Sequence, residues 1–389
     1  MSEKRELIPM AKSDLLAEST PALLKDHINA KSIEALAGLI KQYQPDFPDN
    51  KFRAMAIYQL DGMSLKARVN HLSEVLAVLL VNDFSVNAKW LKQVAEHWPN
   101  LEPGKGWHSF MAWPLIDYAG KQGLQQPTIA LDVLKHLTPL FTAEFAIRPY
   151  IEKHFELTFK ELLRWCEDDN EHVRRLASEG VRPRLPWGGH LKALKQDPRP
   201  VFEILTQLKD DKSKYVQKSV ANNLNDISKD HPQRVIDICH EWLENSTPQR
   251  RWIIRHGLRS LIKAGEPSVF PLLGYSDKPA VKVEFVLTEQ DVTLGQTLEM
   301  LLSIHSKASQ AQQLVVDYRV WHVKSNGKTT AKVYKWKNII LPARKSVYLK
   351  KSHGFLQLTT RQYYAGQHTI EILINGVVHN QAMVNLVLG

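Results

Sequence analysis

The chain has 389 residues, enough for two or three domains, and its 43% hydrophobic and 24% charged residues are typical of a folded globular protein. The longest aliphatic run, Leu76–Val81, is too short to span a bilayer, and the amino terminus lacks an apolar core of signal-peptide length. Cys166 and Cys239 stand outside any CxxC or CxxH arrangement. We therefore expect a cytoplasmic protein with reduced core thiols, no membrane partner, no metal and no cofactor.

The net charge of +10 is concentrated near the carboxyl terminus. Residues 278–389 hold 14 Lys and Arg against 6 Asp and Glu, a net charge of +8. Such a basic region attracts polyanions, which favours nucleic acid as the partner. The alternative is a solvated basic surface that only keeps the protein soluble.

The elements predicted in chain order change character near residues 274–279. Before this point, apolar residues recur at spacings of three and four, which predicts helices separated by short polar or proline-containing turns. The predicted helices are residues 31–43, 71–81, 87–98, 128–141, 155–166, 171–182, 200–211, 234–245 and 248–265.

After this point, hydrophobic residues alternate with a period of two. About seven strands in roughly 110 residues are typical of an immunoglobulin-like sandwich, although the Cys…Trp…Cys staple of true immunoglobulin domains is absent from the sequence. The predicted strands are residues 281–288, 298–306, 313–323, 331–341, 346–352, 368–376 and 382–389.

Three segments of the helical region align as a repeat. Residues 173–182, 216–225 and 250–259 are offset by 43 and 34 residues, the length of a helix pair in HEAT-type solenoids. Such arrays curve, and the second helix of each unit lines a concave face that fits a DNA duplex. We therefore predict a multidomain protein, with an all-α HEAT-like repeat solenoid at residues 1–276 and an all-β immunoglobulin-like sandwich at residues 277–389.

The helix at 171–182 carries the first candidate acid. With its apolar positions facing the core, Arg175, Glu179 and Arg182 form a separate stripe at i, i+4 and i+7. Glu179 is therefore expected between two guanidinium groups, which favour its ionised form. The alternative is a pair of surface salt bridges, each worth ~0.3 to 0.5 kcal/mol.

Neighbouring repeats supply further polar residues. About one repeat before Glu179 stands Glu144, and about one repeat after it stand Asn222 and Asp226, four residues apart on a helix. Equivalent positions on adjacent packed helices lie roughly 8 to 10 Å apart, so these acids are expected on one patch of the concave surface. The basic stripe predicted beyond them consists of Arg251, Arg255 and Arg259.

Four segments carry a resemblance to a known family: "HVRRLASEGVRPRLPWG", "EFAIRPYI", "NNLNDISKDHP" and "WIIRHGLRSLIKAG". They resemble the AlkC-type alkylpurine DNA glycosylases of the HEAT-like-repeat DNA alkylation repair superfamily. The resemblance covers nearly the whole chain and is weakest over the first thirty or so residues. An appended immunoglobulin-like domain distinguishes this type from the related D type.

The resemblance implies a base excision repair enzyme, a monomer acting on double-stranded DNA at the bacterial nucleoid. It would hydrolyse the N-glycosidic bond of 3-methyladenine and 3-methylcytosine without flipping the base into a pocket. The catalytic residues carried over are Glu144, Glu179, Trp187 and Asp226. The DNA-binding residues expected with them are Arg148, Arg175, Arg182, Arg184, Arg251, Arg255, His256, Arg259, Lys335 and Lys337.

The chemistry of these lesions fits the carried-over residues. A base methylated at N3 is cationic and leaves without prior protonation, so a carboxylate such as Glu179 need only stabilise the oxocarbenium-like sugar and orient water. The motif offers no lysine as a Schiff-base nucleophile, which predicts a monofunctional glycosylase without lyase activity. An indole face beside the cationic sugar or base adds ~0.5 to 2 kcal/mol, the role expected of Trp187.

The structural role considered for Trp187 is a core residue that fills a gap between repeats. Trp187 lies between Pro186 and Gly188, in a loop that its prolines keep from becoming helix, and this favours the site. In the strand at 331–341, alternation places Lys335 and Lys337 on one face and Tyr334 and Trp336 on the other. The two lysines are therefore expected to face outward.

Two functions of another class remain open. A non-catalytic HEAT-repeat scaffold would need only the groove, and its candidate site residues would point in unrelated directions. A damaged-DNA-binding adaptor would bring them together and bind DNA, but would release no base.

Overall fold

The computed structural model describes residues 23–80, 83–98, 107–276, 278–357 and 362–388. Residues 1–22, for which the sequence predicts no signal peptide, lie outside the described residues. Asp277, at the expected domain boundary, also lies outside them. The described residues form two compact units, which divide between Thr158 and Phe159. The boundary at 276/277 between a repeat domain and a sandwich domain stays a prediction.

Helices occupy the described chain as far as Leu272. They are α1 (Ala30–Tyr43), α2 (Asp49–Ile57), α3 (Leu65–Leu79), α4 (Phe84–Glu96), α5 (Trp107–Gln122), α6 (Pro127–Leu137), α7 (Arg148–Lys153), α8 (Phe155–Trp165), α9 (Glu171–Gly180), α10 (Lys192–Gln196), α11 (Arg199–Leu208), α12 (Lys214–Ile227), α13 (Pro232–Leu243), α14 (Pro248–Gly257), α15 (Arg259–Ala264) and α16 (Val269–Leu272).

In the first unit, α5 is the long helix that the sequence pattern does not predict. It contains Pro114, and its side chains from Met111 to Ala119 are almost all buried, so no 3.6-residue apolar period stands out. α5 packs against α3 and α6. The Tyr150 hydroxyl of α7 donates to the Gly120 carbonyl at 3.0 Å, which ties the end of α5 to the segment after Glu144.

The predicted repeat is confirmed in the second unit, where α12 packs between α9 and α14. Each of these helices begins with a side chain that caps its first turn: Asn170, Ser213 and Thr247 accept hydrogen bonds from backbone amides. The caps are separated by 43 and 34 residues, the same offsets as the aligned segments. One capped helix therefore recurs at the expected period.

The basic stripe of Arg251, Arg255 and Arg259 does not lie on one continuous helix. α14 ends at Gly257, and Leu258, with φ −83° and ψ 2°, interrupts the helical backbone before α15 begins. The expectation of one continuous helix over residues 248–265 is therefore wrong, and Arg259 begins a helix of its own.

The carboxy-terminal residues form a two-sheet sandwich. Its strands are β1 (Val281–Leu287), β2 (Asp291–Thr293), β3 (Thr297–Ser306), β4 (Gln312–Val323), β5 (Thr329–Leu341), β6 (Ser346–Gly354), β7 (Gly366–Ile374) and β8 (Val377–Val387). One sheet has the order β1-β3-β6 and the other β2-β8-β7-β4-β5, with β2 parallel to β8 and every other pair antiparallel. The seven predicted strands are confirmed, and the three-residue β2 is additional.

The five-stranded sheet lies against the last helices of the repeats. Asn375 donates to the Ser276 carbonyl at 2.7 Å. At Gly376, φ is +79° and a Cβ would lie 2.6 Å from the Phe270 ring and from the Gly265 carbonyl, so only glycine fits this contact. The sandwich is therefore fitted closely to α15 and α16.

Both cysteines are free and buried. Burial raises the pKa of each thiol, Cys166 and Cys239, to about 12. Among the described residues, no helix combines the length and the apolar content that crossing a membrane requires.

Candidate active site

Glu179 is a buried carboxylate at the carboxyl end of α9, only 5% exposed. Its Oε1 accepts a hydrogen bond from Arg182 Nη1 at 2.6 Å and lies 3.3 Å from Arg175 Nη2. The predicted position between two guanidinium groups is confirmed by these distances. The alternative of surface salt bridges is wrong, because α12 packs over this face of α9 and buries it.

The second oxygen of Glu179 is held by the neighbouring repeat. Ser219 of α12, 2% exposed, donates to Glu179 Oε2 at 2.6 Å, and the Ser178 hydroxyl lies 2.6 Å from the Ser219 oxygen. Both carboxylate oxygens therefore have fixed partners, so the carboxylate plane is set by two helices.

Arg182 connects Glu179 to the second candidate acid. Its Nε donates to Asp226 Oδ2 at 2.8 Å while its Nη1 donates to Glu179, and Lys229 Nζ donates to Asp226 Oδ1 at 3.1 Å. Arg182 and Asp226 are 7% and 2% exposed. We call Arg175, Glu179, Arg182, Ser219 and Asp226 the acid cluster.

Arg175 also has an aromatic partner. Its guanidinium carbon lies 5.0 Å from the centre of the Tyr215 ring, at the start of α12. A cation over an aromatic face is held in place by the ring quadrupole. Arg175 is therefore positioned by Tyr215 as well as by Glu179.

The other arginines of the 164–184 segment are paired elsewhere. Arg164 donates to Glu161 at 3.0 Å, Arg174 to Asp211 at 2.7 Å, and Arg184 to Asp230 at 2.7 Å. Arg184 and Asp230 bind each other through two hydrogen bonds, so the predicted DNA contact of Arg184 competes with this pair.

Trp187 lies in the loop between α9 and α10 and is 69% exposed. It therefore does not fill a gap in the core, and that structural alternative is wrong. Its φ of +63° places a bulky residue in the left-handed region, which costs roughly 1–2 kcal/mol for a residue with a Cβ. The loop therefore holds the indole in solvent, and the role of Trp187 at the site stays a prediction.

Glu144 belongs to the other compact unit, and its position relative to Glu179 stays a prediction. Glu144 lies in the turn before α7, is 8% exposed, and accepts a hydrogen bond from the Thr142 hydroxyl at 2.9 Å. Arg148, at the start of α7, is only 5% exposed, and its contact with DNA also stays a prediction.

The remaining DNA-binding candidates lie on α14, α15 and β5. Arg251 donates to the Ser246 carbonyl at 2.5 Å, whereas Arg259 donates to the His256 carbonyl at 2.7 Å and to Asn222 Oδ1 at 3.0 Å. The pKa of His256 is lowered by burial and by nearby Arg259 and Lys218, so its imidazole is neutral at pH 7. Arg255 is exposed.

On β5, Lys335 and Lys337 are exposed and Trp336 is buried, as the alternation predicts. Lys335 Nζ lies 3.5 Å from Asp317 Oδ1 on the neighbouring strand β4. A register shift between Val316 and Asp317 brings Asp317 opposite Lys335.

Ser219 is the site residue that the sequence analysis does not find. A hydroxyl is common on helix surfaces and carries no signal by itself. Its offset of 40 residues from Glu179 lies within the repeat period, and this is the signal that could have identified it.

Comparisons with known proteins agree with this architecture. Residues 141–261 match the family described as DNA alkylation repair enzyme, and residues 282–388 match the C-terminal Ig-like domain of the family described as uncharacterised protein YhaZ. The Bacillus subtilis (strain 168) protein named Uncharacterized protein YhaZ is 35% identical over 357 residues, 91% of this chain and 97% of that protein.

A solved structure is similar over almost its whole length. The alkylpurine DNA glycosylase AlkC of Pseudomonas fluorescens, bound to DNA containing an abasic site analog, has a TM-score of 0.78 and 36% identity. The match covers 94% of this chain and 99% of that chain. Helical repeats followed by an Ig-like domain, and the resemblance found in the sequence, are thus confirmed. The chain belongs to the DNA alkylation repair enzyme family, as a glycosylase of the AlkC type.

Proposed function

We propose that this DNA glycosylase releases 3-methyladenine and 3-methylcytosine from double-stranded DNA by hydrolysis of the N-glycosidic bond. The observation that carries the proposal is the setting of Glu179, whose two carboxylate oxygens are held by Arg182, Arg175 and Ser219. A carboxylate fixed in this way is ready for a developing positive charge, because it need not reorient during the reaction.

The proposed reaction begins with a base that is already cationic. The bond between the sugar carbon and the base nitrogen breaks, and its electron pair neutralises the base, which leaves without protonation. The sugar becomes oxocarbenium-like, and the Glu179 carboxylate stabilises that charge and orients the attacking water. The water oxygen bonds to the sugar carbon and releases a proton to solvent, which leaves an abasic site.

Trp187 is proposed to face the cationic sugar or base. Its 69% exposure leaves the indole accessible to DNA, and its left-handed backbone presents the side chain from a short loop. A cation against an indole face gains ~0.5 to 2 kcal/mol. An indole this exposed does not enclose a base, which supports excision without flipping the base into a pocket.

Asp226 and Glu144 are proposed to act beside Glu179. Asp226 is bound on both oxygens, by Arg182 and Lys229, so its part is to hold Arg182 against Glu179. Glu144 is proposed as the second acid that faces the sugar. The absence of a lysine from the motif supports monofunctional activity without strand cleavage.

The partner is proposed to be the DNA duplex of the bacterial nucleoid, bound by a monomer. The net charge of +8 in residues 278–389 supports this, because phosphate neutralisation supplies most non-specific affinity for DNA. The proposed contacts include Arg175 and Arg251, and the exposed Arg255, Lys335 and Lys337.

The direct test is to incubate the protein with DNA methylated at N3 of adenine and cytosine and to detect the free bases. Release of both bases, without strand cleavage before alkali treatment, is the expected result. A HEAT-repeat scaffold would neither bind the lesion nor release a base. An adaptor would bind methylated DNA and leave every base in place, and either outcome would refute the proposal.

A further inference from the structure

A cavity of about 450 Å³ opens between the last repeat and the sandwich, within the second compact unit. Helices α14 and α15 form one wall and strands β4 and β5 form the other. We call it the basic cavity and define it by six lining residues: Trp252, Arg255, Arg259, Lys263, Asp317 and Lys335. Its size lies within the range of small-molecule sites.

The charges around the basic cavity are unbalanced. Four cationic side chains share one carboxylate, that of Asp317. Asp317 is 5% exposed, and its Oδ1 makes no hydrogen bond and lies 3.5 Å from Lys335 Nζ. Burial raises the pKa of Asp317 against the opposing effect of Lys335, and partial desolvation of the half-exposed Lys335 lowers its pKa against the opposing effect of Asp317, so this pair is incompletely compensated.

The cations also crowd one another. The pKa of Arg259 is lowered mainly by burial; nearby Asp226 opposes this shift, and Arg182 of the acid cluster adds to it. The pKa of His256, which lines the same wall, is lowered by burial, Arg259 and Lys218. An anion in the cavity would relieve this repulsion, since an opposite charge within a few ångströms favours the charged form of each group.

The cavity is larger and more apolar than a phosphate ion needs. A water molecule takes up about 30 Å³ of liquid, so about 450 Å³ exceeds the volume of a single small ion several times. Trp252 is 43% exposed and stacks on His256 with ring centres 4.9 Å apart and an angle of 10°. Ile262 and Val333 add apolar lining. This lining fits a ligand that carries a flat apolar group as well as an anion.

We infer that the basic cavity binds one nucleotide, with its phosphate against Arg255, Arg259, Lys263 and Lys335 and its base against the Trp252 indole. Bases stack on aromatic side chains whatever their sequence. The Asp317 carboxylate accepts a hydrogen bond from an amino group of the base or a hydroxyl of the sugar. The nucleotide is either part of a DNA strand or a free molecule. The first of these two possibilities rests on the proposed function.

The test is isothermal titration of the full chain with deoxyadenosine monophosphate. The expected dissociation constant is roughly 1 mM or tighter. Trp252→Ala and Lys263→Ala should each weaken binding about tenfold or more, since they remove the stacking face and one phosphate contact. Lys263 is exposed, so its variant retains the fold. Lys282→Ala, an exposed lysine paired with Glu284 in the other sheet, is the matched control and should bind as wild type does.

Adenosine and inorganic phosphate are titrated separately, and each should bind about tenfold more weakly than the nucleotide. A wild type that binds no nucleotide at 1 mM, or variants that bind it equally well, would overturn the inference. Displacement of the nucleotide by unmodified duplex identifies a DNA strand as the occupant. Simultaneous binding of both identifies a free nucleotide. Base release from methylated DNA is measured in parallel, so failure of the proposed function is seen independently of failure at the cavity.

Discussion

The acid cluster and the basic cavity are built from the same kinds of residue in different proportions. In the acid cluster, Glu179 and Asp226 share the cations Arg175, Arg182 and Lys229 through short hydrogen bonds and contacts. In the basic cavity, four cations share the single carboxylate of Asp317.

The two sites differ in how their charges are neutralised. The acid cluster is organised by its own bonds before any ligand arrives, as a preorganised site requires. The basic cavity is completed only by an anion from outside. Arg259 stands between them, because it borders the cavity and donates to Asn222 on α12, the helix that carries Ser219 and Asp226.

The largest effect is expected when a buried pair of the acid cluster is broken. Asp226→Ala leaves Arg182 with one fewer partner in a site where it is 7% exposed, and should lower the free energy of unfolding by about 3–5 kcal/mol. Urea unfolding followed by circular dichroism measures the loss. Asp230→Ala is the control, because the Asp230–Arg184 pair is partly exposed and should cost less than about 1 kcal/mol. Equal losses in both variants would show that the cluster is no more than another surface pair.

The next effect is on catalysis. Glu179→Gln keeps the size of the side chain but removes its charge, and should slow base release by ~10² or more, about 2.7 kcal/mol of transition-state stabilisation. Glu144→Gln should behave similarly with a smaller decrease. Single-turnover release of 3-methyladenine measures both rates. Glu161→Gln, which disrupts only the pair with Arg164, should react at the wild-type rate. Unchanged rates in the first two variants would leave the active-site assignment without support.

A substitution at Ser219 tests the orientation of the Glu179 carboxylate without changing its charge. Ser219→Ala removes the donor to Glu179 Oε2 and should slow base release about tenfold, the equivalent of about 1.4 kcal/mol, because hydrogen bonds to charged groups are worth ~1.5–3 kcal/mol. Ser219→Thr keeps the hydroxyl donor and should recover part of the rate. Ser178→Ala, one hydrogen bond further from Glu179, should have the smaller effect.

On the sandwich, the expected effect is on affinity rather than rate. Deletion of the whole sandwich would uncover Phe270, which packs against Gly376, so a single substitution is the cleaner test. Lys337→Ala should weaken duplex binding regardless of sequence and make the log–log salt dependence shallower by about one unit. Fluorescence anisotropy at several salt concentrations measures the slope, with Lys282→Ala as control. The same slope in both variants would show that β5 does not follow the DNA backbone.

The smallest effect is the pH dependence of His256. Its ordinary pKa is 6.5 and the folded-state pKa is lower, so on acidification the unfolded chain takes up the proton first. The free energy of unfolding therefore falls as pH decreases through 6.5, and His256→Gln should lose part of this dependence. Urea unfolding at pH 7.5 and pH 5.5 compares the two proteins. An identical pH dependence would mean that neither burial nor the neighbouring cations shift the pKa of this imidazole.

The sequence was sufficient for the features that depend on local pattern. The stripe of Arg175, Glu179 and Arg182 follows from helical geometry alone, and the structure brings these three side chains together. Alternation in β5 likewise predicts an exposed Lys335 and a buried Trp336. In each case the neighbours that matter lie within one element.

Features that depend on packing between elements could not be predicted in this way. The burial of Glu179 requires α12 to lie over α9, and the contact with Ser219 depends on the register of that packing. The helical spacing of apolar residues continues through Leu258, although the helical backbone is interrupted there. The sequence pattern therefore could not show this interruption. α5 is missed for the opposite reason: from Met111 to Ala119 nearly every residue is buried, so no single apolar face stands out.

The two buried cysteines are protected from reaction with alkylating agents. Methylating agents react with thiolates rather than thiols, and a thiol with a pKa of about 12 is ionised in roughly one molecule in 10⁵ at pH 7. Cys166 and Cys239 are in addition enclosed by the helices that hold them. The sulfur atoms of Cys166 and Cys239 are therefore poor nucleophiles toward the alkylating agents whose damage this family of enzymes repairs.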